Sequence, residues 1–201
     1  STQGYSSAAS DVYKRQIVHI THCSQEQGNG LADVLFGKVN PAGRTVQTWV
    51  KDITDLPDIM DYDIRNGRTY MYHQGPVLYP FGYGLSYSTF EYSDLKVEKR
   101  DGGVVVSFAV KNTGGMDAAE VAQVYVGDVE ASVPRPAKEL KGYEKIFLKK
   151  GEQKRVEVTL TDEAFRFYDI FSHGFVTEPG DFNIFVGSSC EDIRLRGGVT
   201  L

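Results

Sequence analysis

The 201-residue sequence is short of several things that would assign it to a class. It has no block of Lys and Arg, and its 27 acidic residues outnumber its 22 basic ones, for a formal charge of -5. Proteins that hold nucleic acid concentrate basic side chains on one face, so this balance argues against such a partner. Cysteine occurs twice, as Cys23 and Cys190 near opposite ends, which gives no disulfide framework; both are expected to be free thiols. No apolar run is long enough to cross a bilayer, which argues against a membrane partner. No charged segment followed by an apolar core marks a signal peptide.

What is present is ordinary globular material, 41% hydrophobic and 24% charged, with 12 Tyr and 11 Phe beside the single Trp. At this length one large domain or two small ones can bury a core. Residues 1–16 are set aside, because "SAASDVYKRQ" has neither a helical nor a strand period. Its Asp11–Gln16 part back-translates to a string resembling a transposon end used in sequencing libraries, so the segment reads as a translated adaptor; a flexible native terminus is the other reading. The gene is then expected to be truncated at Ile17.

From there "IVHI" reads as a short strand, and Leu31, Val34 and Leu35 recur at helical spacing ahead of Gly37, a helix stop. One strand and one helix cannot bury both faces of an α/β layer, so 17–37 reads as the end of an α/β sandwich domain whose other strands lie upstream. Residues 38–86 carry a turn signal about every ten residues ("NPAGR", "DLPD", "RNGR", "HQGP", "PFGYG"), with only "TVQTWV" and "TYMYHQ" extended. The segment reads as a long irregular connector running over another surface. Residues 87–201 change grammar to short alternating strands at 90–99, 103–112, 120–128, 138–148, 154–161, 164–169, 181–188 and 192–197. Val104, Val106, Phe108 and Val110 share one face, as do Phe182, Ile184 and Val186. The fold class is mainly β. An immunoglobulin-like sandwich of the fibronectin type III kind is expected, since the paired Cys around a buried Trp of antibody domains is missing.

Four blocks in order, "QEQGNGLADVLFGKVNPAGR" (25–44), "YPFGYGLSYSTFEYSDLKV" (79–97), "KELKGYEKIFLKKGE" (138–152) and "EPGDFNIFVGSS" (178–189), resemble glycoside hydrolase family 3, in particular its β-glucosidase and β-xylosidase members. "GRTYMYHQGPVLYPFGYGLSY" (67–87) is most similar to the xylosidase-like branch. The resemblance implies a TIM-like barrel, an α/β sandwich domain and a fibronectin type III-like domain in that order. It also implies hydrolysis of terminal β-linked glucose or xylose and, by family habit, a secreted or periplasmic location. Retaining glycosidases need two carboxyl groups roughly 5 Å apart. In the family the nucleophilic Asp lies on the barrel and the acid/base Glu lies upstream of the block matched by "QEQGNG". Neither position falls in this chain, so no catalytic, cofactor-binding or metal residue is assigned, and the substrate-binding residues are left open. Barrel and α/β domain are the expected partners in cis, and a β-linked oligosaccharide reaches the protein through them. A stand-alone carbohydrate-binding or adhesion-type module is the alternative.

Several residues invite a sharper role. Glu26 stands at the helix start, where its charge complements the dipole. Asp58, Asp61 and Asp63 in "DIMDYD" suit either a hydroxyl-rich ligand or backbone capping, the latter being commoner in turns. His19, His22 and Cys23 spell H-x-x-H-C, but a strand would turn the two His apart and no second ligand pair follows. Tyr79, Phe81, Tyr83 and Tyr87 suit sugar stacking or a joint between connector and sandwich, and the glycines at 82 and 84 favour the joint. Arg44 is placed to anchor a carboxylate of a neighbouring domain.

Overall fold

The computed structural model describes residues 18–20 and 25–201, in two compact units, 1–39 and 40–201. In the first, α1 (Gln27–Leu35) ends where the sequence places its stop. Gly37 takes φ 71°, its N–H bonding the Val34 carbonyl and the Lys38 N–H the Asp33 carbonyl, which satisfies two end carbonyls in the paired pattern of a Schellman cap. The Lys38 ammonium lies 3.4 Å from the Asp33 carboxylate over the same turn. At the other end the Glu26 carboxylate accepts from the Asn29 side-chain amide rather than from a backbone N–H. The strand expected from "IVHI" is absent at Val18, His19 and Ile20, because no neighbouring strand among the described residues offers them a ladder. Ile17, His22 and Cys23 lie outside the described residues.

The second unit holds the sandwich. One sheet runs in the order β3 (Phe90–Arg100), β4 (Gly103–Asn112), β7 (Gln153–Leu160). The other runs β11 (Ile193–Thr200), β10 (Asp181–Gly187), β5 (Ala118–Asp128), β6 (Glu139–Leu148), and every pairing in both sheets is antiparallel. Sheets of three and four strands with this strand order are the fibronectin type III-like arrangement. The face expected on β4 is the core face: Val104, Val106, Phe108 and Val110 are fully buried. From the opposite sheet Phe182, Ile184 and Val186 meet them. Tyr92 stacks on Phe108 at 6.2 Å and Phe165 meets Phe182 edge-on at 5.1 Å. The outer face of β4 is covered too, since Val105, Ser107 and Ala109 are buried and the Arg155 guanidinium donates to Ser107 Oγ at 2.8 Å.

Two segments depart from expectation. "AFRFYD" is a 3-10 turn (Asp162–Ala164) followed by a short β8 (Phe167–Asp169), which pairs with β9 (Gly174–Val176), a strand the sequence pattern did not suggest. The turn between them is set by Asp169, whose carboxylate accepts from the N–H groups of Phe171 and Ser172. In the connector, β1 (Trp49–Val50) pairs with β2 (Val77–Tyr79), but "TYMYHQ" is not extended: Thr69–Tyr72 form a one-turn helix, α2. Its alternating rings mimic a strand, while Tyr70 is held by contacts on the sandwich described below.

Phe108→Ala removes a ring with no exposed surface from the centre of β4, so it is expected to lower stability by about 3–5 kcal/mol in urea unfolding. Lys145→Ala, on the solvent side of β6, should change it by under about 0.5 kcal/mol.

Candidate functional site

Strand β5 is where the connector attaches. Side chains of a strand alternate between faces, and Glu120, Ala122, Val124 and Val126 point to the core. Gln123 and Tyr125 point outward, yet they are 3% and 0% exposed. The connector is what covers them. Phe81 stacks on Tyr70 at 4.4 Å, and Tyr70 meets Tyr125 edge-on at 6.1 Å. Tyr70 also accepts the Leu140 N–H at 2.8 Å, which fixes α2 against β6. The Gln123 amide donates to the Gly82 carbonyl at 3.1 Å and the Ser188 carbonyl at 2.5 Å, and its oxygen accepts from the Tyr125 hydroxyl at 2.6 Å. From the far side the Cys190 N–H donates to the Phe81 carbonyl at 3.0 Å.

The two glycines of "PFGYG" are required by this approach. Gly82 has φ 81°, and a Cβ there would collide with the Gln123 side chain; a Cβ on Gly84 would collide with the Gly43 carbonyl. The connector closes on itself at the same place, with Thr45 N–H bonding the Tyr83 carbonyl and Gly82 N–H the Thr45 carbonyl. Asn40 ties the two ends, accepting the Tyr87 N–H and donating to Ser86 Oγ.

Arg44 completes the seam at the mouth of the sandwich. Its Nη2 donates to Glu120 Oε2 at 2.8 Å, with the two side chains only 8% and 3% exposed. The other carboxylate oxygen accepts from the Tyr92 hydroxyl at 3.0 Å, so one carboxylate joins the connector, β5 and β3. The expected anchor is real, but a single nitrogen makes it, and Arg44 Nε is buried with no partner among the described residues. Burial, reinforced by the Glu120 charge, pushes the Tyr92 hydroxyl far above its ordinary range. Burial likewise pushes the Cys190 thiol up to about 11. Glu120 was not singled out from the sequence. The available signal was a charged residue at the core parity of an otherwise apolar strand.

The aromatic segment therefore divides. Phe81 serves the joint through its face and Tyr79 and Tyr83 lie 5.3 Å apart, with Trp49 edge-on to Tyr79, while Tyr87 stays 46% exposed. The "DIMDYD" carboxylates are spent on local turns: Asp58, Asp61 and Asp63 accept the N–H groups two residues on, from Met60, Asp63 and Arg65. Bonding from the Arg65 side chain draws Asp63 down to about 2. Arg68 closes the same loop on the carbonyls of Asp58 and Asp61. Among the described residues no three His, Cys, Asp or Glu gather as a metal site, and no helix is long and apolar enough to cross a membrane.

A second buried ion cluster escaped the sequence reading. Arg135, in the proline loop ahead of β6, contacts Asp128 at 3.0 Å and Glu139 at 3.4 Å, donates to the Phe165 carbonyl and lies over the Phe167 ring. It pins that loop and the base of the β8–β9 hairpin together. Both clusters join one segment of the 40–201 unit to another.

Comparisons with known proteins agree along the chain. Residues 9–87 match the glycosyl hydrolase family 3 C-terminal domain, and residues 120–190 match the fibronectin type III-like domain. The thermostable beta-glucosidase B of Acetivibrio thermocellus is 41% identical over 191 residues, 87% of this chain and 25% of the relative. A xylan 1,4-beta-xylosidase of Xylanibacter ruminicola is 38% identical over 182 residues, 90% of this chain and 21% of the relative. Among solved structures, a Bifidobacterium adolescentis GH3 beta-glucosidase superposes with a TM-score of 0.81 at 37% identity, over 87% of this chain and 28% of that one. The chain spans about a quarter of the length of these relatives.

Removing Arg44 strands a buried carboxylate, so Arg44→Ala should cost about 3–5 kcal/mol in urea unfolding. Its partner change Glu120→Gln, which keeps an acceptor for Tyr92, should cost less. In a Cys23→Ser background, Cys190 should resist a thiol reagent at pH 8 in the folded chain and react after unfolding, as a buried thiol with a raised pKa must.

Proposed function

The chain belongs to glycoside hydrolase family 3, and from that premise we propose that it is the C-terminal part of a retaining enzyme releasing terminal β-linked glucose or xylose from oligosaccharides. In this reading its own role is to hold and orient, and it is inactive without the upstream barrel and α/β domain. One observation carries the reading. The connector, inside the match to the family's C-terminal domain, and the sandwich, whose residues 120–190 match the fibronectin-like domain, are tied by the buried Arg44–Glu120 pair. A fixed seam of that kind holds the connector in one place on the sandwich.

The carboxylates add support from the negative side. Acid/base and nucleophilic roles need two carboxyl groups facing a shared space, one of them with a raised pKa. Glu120 and Asp128 are locked in buried ion pairs, and the Asp58, Asp61 and Asp63 group is occupied by backbone N–H groups. The names of relatives extend to both β-glucosidase and β-xylosidase, so the sugar is proposed only to that pair.

Hydrolysis of an aryl β-glucoside and an aryl β-xyloside should be undetectable with this chain and present with a polypeptide extended upstream into the barrel. Activity in the chain alone would reverse the reading; an inactive extended polypeptide of native fold would remove its catalytic half.

A further inference from the structure

The sequence holds five asparagines, at 29, 40, 66, 112 and 183, and two of them precede a glycine. An asparagine before glycine is open to an intramolecular reaction, in which the next backbone nitrogen attacks the side-chain amide carbon and no Cβ stands in the way. The structure separates the two pairs. Asn29 and Gly30 lie inside α1, where the Gly30 N–H is committed to the Glu26 carbonyl at 3.0 Å and the Asn29 amide to the Glu26 carboxylate. Asn66 and Gly67 lie in the turn ahead of α2, and Asn66 is exposed.

Gly67 has φ 85°, and a Cβ built on it would meet nothing within 4 Å, so the backbone there has open space around it. Its N–H makes no hydrogen bond among the described residues, although the N–H groups on either side do, Asn66 to the Asp63 carbonyl and Arg68 to the Ile64 carbonyl. The Asn66 amide nitrogen donates to Asp61 Oδ2 at 2.8 Å, a surface bond that engages the nitrogen alone. The other three asparagines lack the means. Asn40 precedes Pro41, which has no N–H to lose. Asn112 is fully buried and bonded to the Met116 and Leu148 carbonyls, and Asn183 sits in β10 before the buried, β-branched Ile184.

We propose that Asn66 is a site of spontaneous deamidation in the folded chain. The Gly67 nitrogen gives its proton to a base in solvent and bonds to Asn66 Cγ; the Cγ–Nδ2 bond breaks, Nδ2 leaves as ammonia, and a cyclic imide closes. Water then opens the ring on one side or the other. Cleavage between Cγ and the Gly67 nitrogen leaves aspartate, and cleavage between the main-chain carbonyl carbon and that nitrogen leaves an isoaspartyl link running through the side chain. Either product sets a carboxylate where the Asp61 oxygen had a donor. The isoaspartyl form also lengthens the backbone inside the turn that the Arg68 N–H closes on Ile64, directly ahead of α2. The reaction goes beyond the proposed function and depends on no part of it.

The test incubates the 201-residue chain at pH 7.5 and 37 °C, once folded and once in urea, and follows chymotryptic peptides by mass. Conversion shows in the 63–70 peptide as the mass difference between an amide and a carboxyl group. In urea the two Asn–Gly pairs should convert at similar rates. In the folded chain Asn66 should lead Asn29 by about tenfold, because a helical hydrogen bond must open before Gly30 can attack. Asn66→Gln, folded by circular dichroism, should lose most of the acidic form that ion exchange resolves from the aged wild type. A 63–70 peptide that converts in urea but not in the folded chain would overturn the proposal. So would a ratio of the two rates that folding leaves unchanged, or an undiminished acidic form in Asn66→Gln.

Discussion

A guanidinium and a carboxylate withdrawn together from water constrain everything else in the 40–201 unit. Arg44 and Glu120 are each costly to bury alone, and their geometry is tolerable only as a pair with further hydrogen bonds. Because Glu120 also receives the Tyr92 hydroxyl, the pair fixes the connector against both sheets at once. The rest of the seam follows in register. With Arg44 placed, Thr45 can reach Tyr83 and Gly82, and Gly82 then falls over Gln123, where no side chain larger than hydrogen fits. An apolar joint of equal area could slide; a charge pair at its end cannot, because a displacement of one residue would leave two buried ions unpaired.

The sandwich was legible because period-two patterning is a local property. Strands β4 and β10 show their core faces without reference to anything distant, and the same alternation located β3, β5, β6, β7 and β11 to within a few residues. What was illegible depends on contacts between remote segments. "TYMYHQ" alternates like a strand but turns helical, its Tyr70 bonded to Leu140 from a distance of 70 residues. Strand β9 exists only as the partner of β8, and neither is long enough to announce itself.

The site divides in the same way. Arg44 and the glycines at 82 and 84 could be picked out as parts of a joint, since turn residues and a lone Arg carry that meaning in themselves. Their partners could not: Glu120, Gln123 and Tyr125 sit in a strand where polar residues ordinarily mark the wet face. Here the outward residues of β5 are dry because another segment lies on them, and the inward glutamate is tolerated because that segment delivers its counter-ion. Fold, in this chain, is written in short windows, whereas the joint is written across long ones.

That separation also sets an order in time. During synthesis the Arg44 side chain leaves the ribosome 76 residues ahead of Glu120. At about 5–20 residues per second the wait is roughly four to fifteen seconds, during which Tyr70 and Phe81 have no strand to cover and the arginine has no counter-ion. Helix α1 and local turns can form in that interval, but the seam cannot. The connector therefore waits, with its seam-forming side chains uncovered, until β5 has been made.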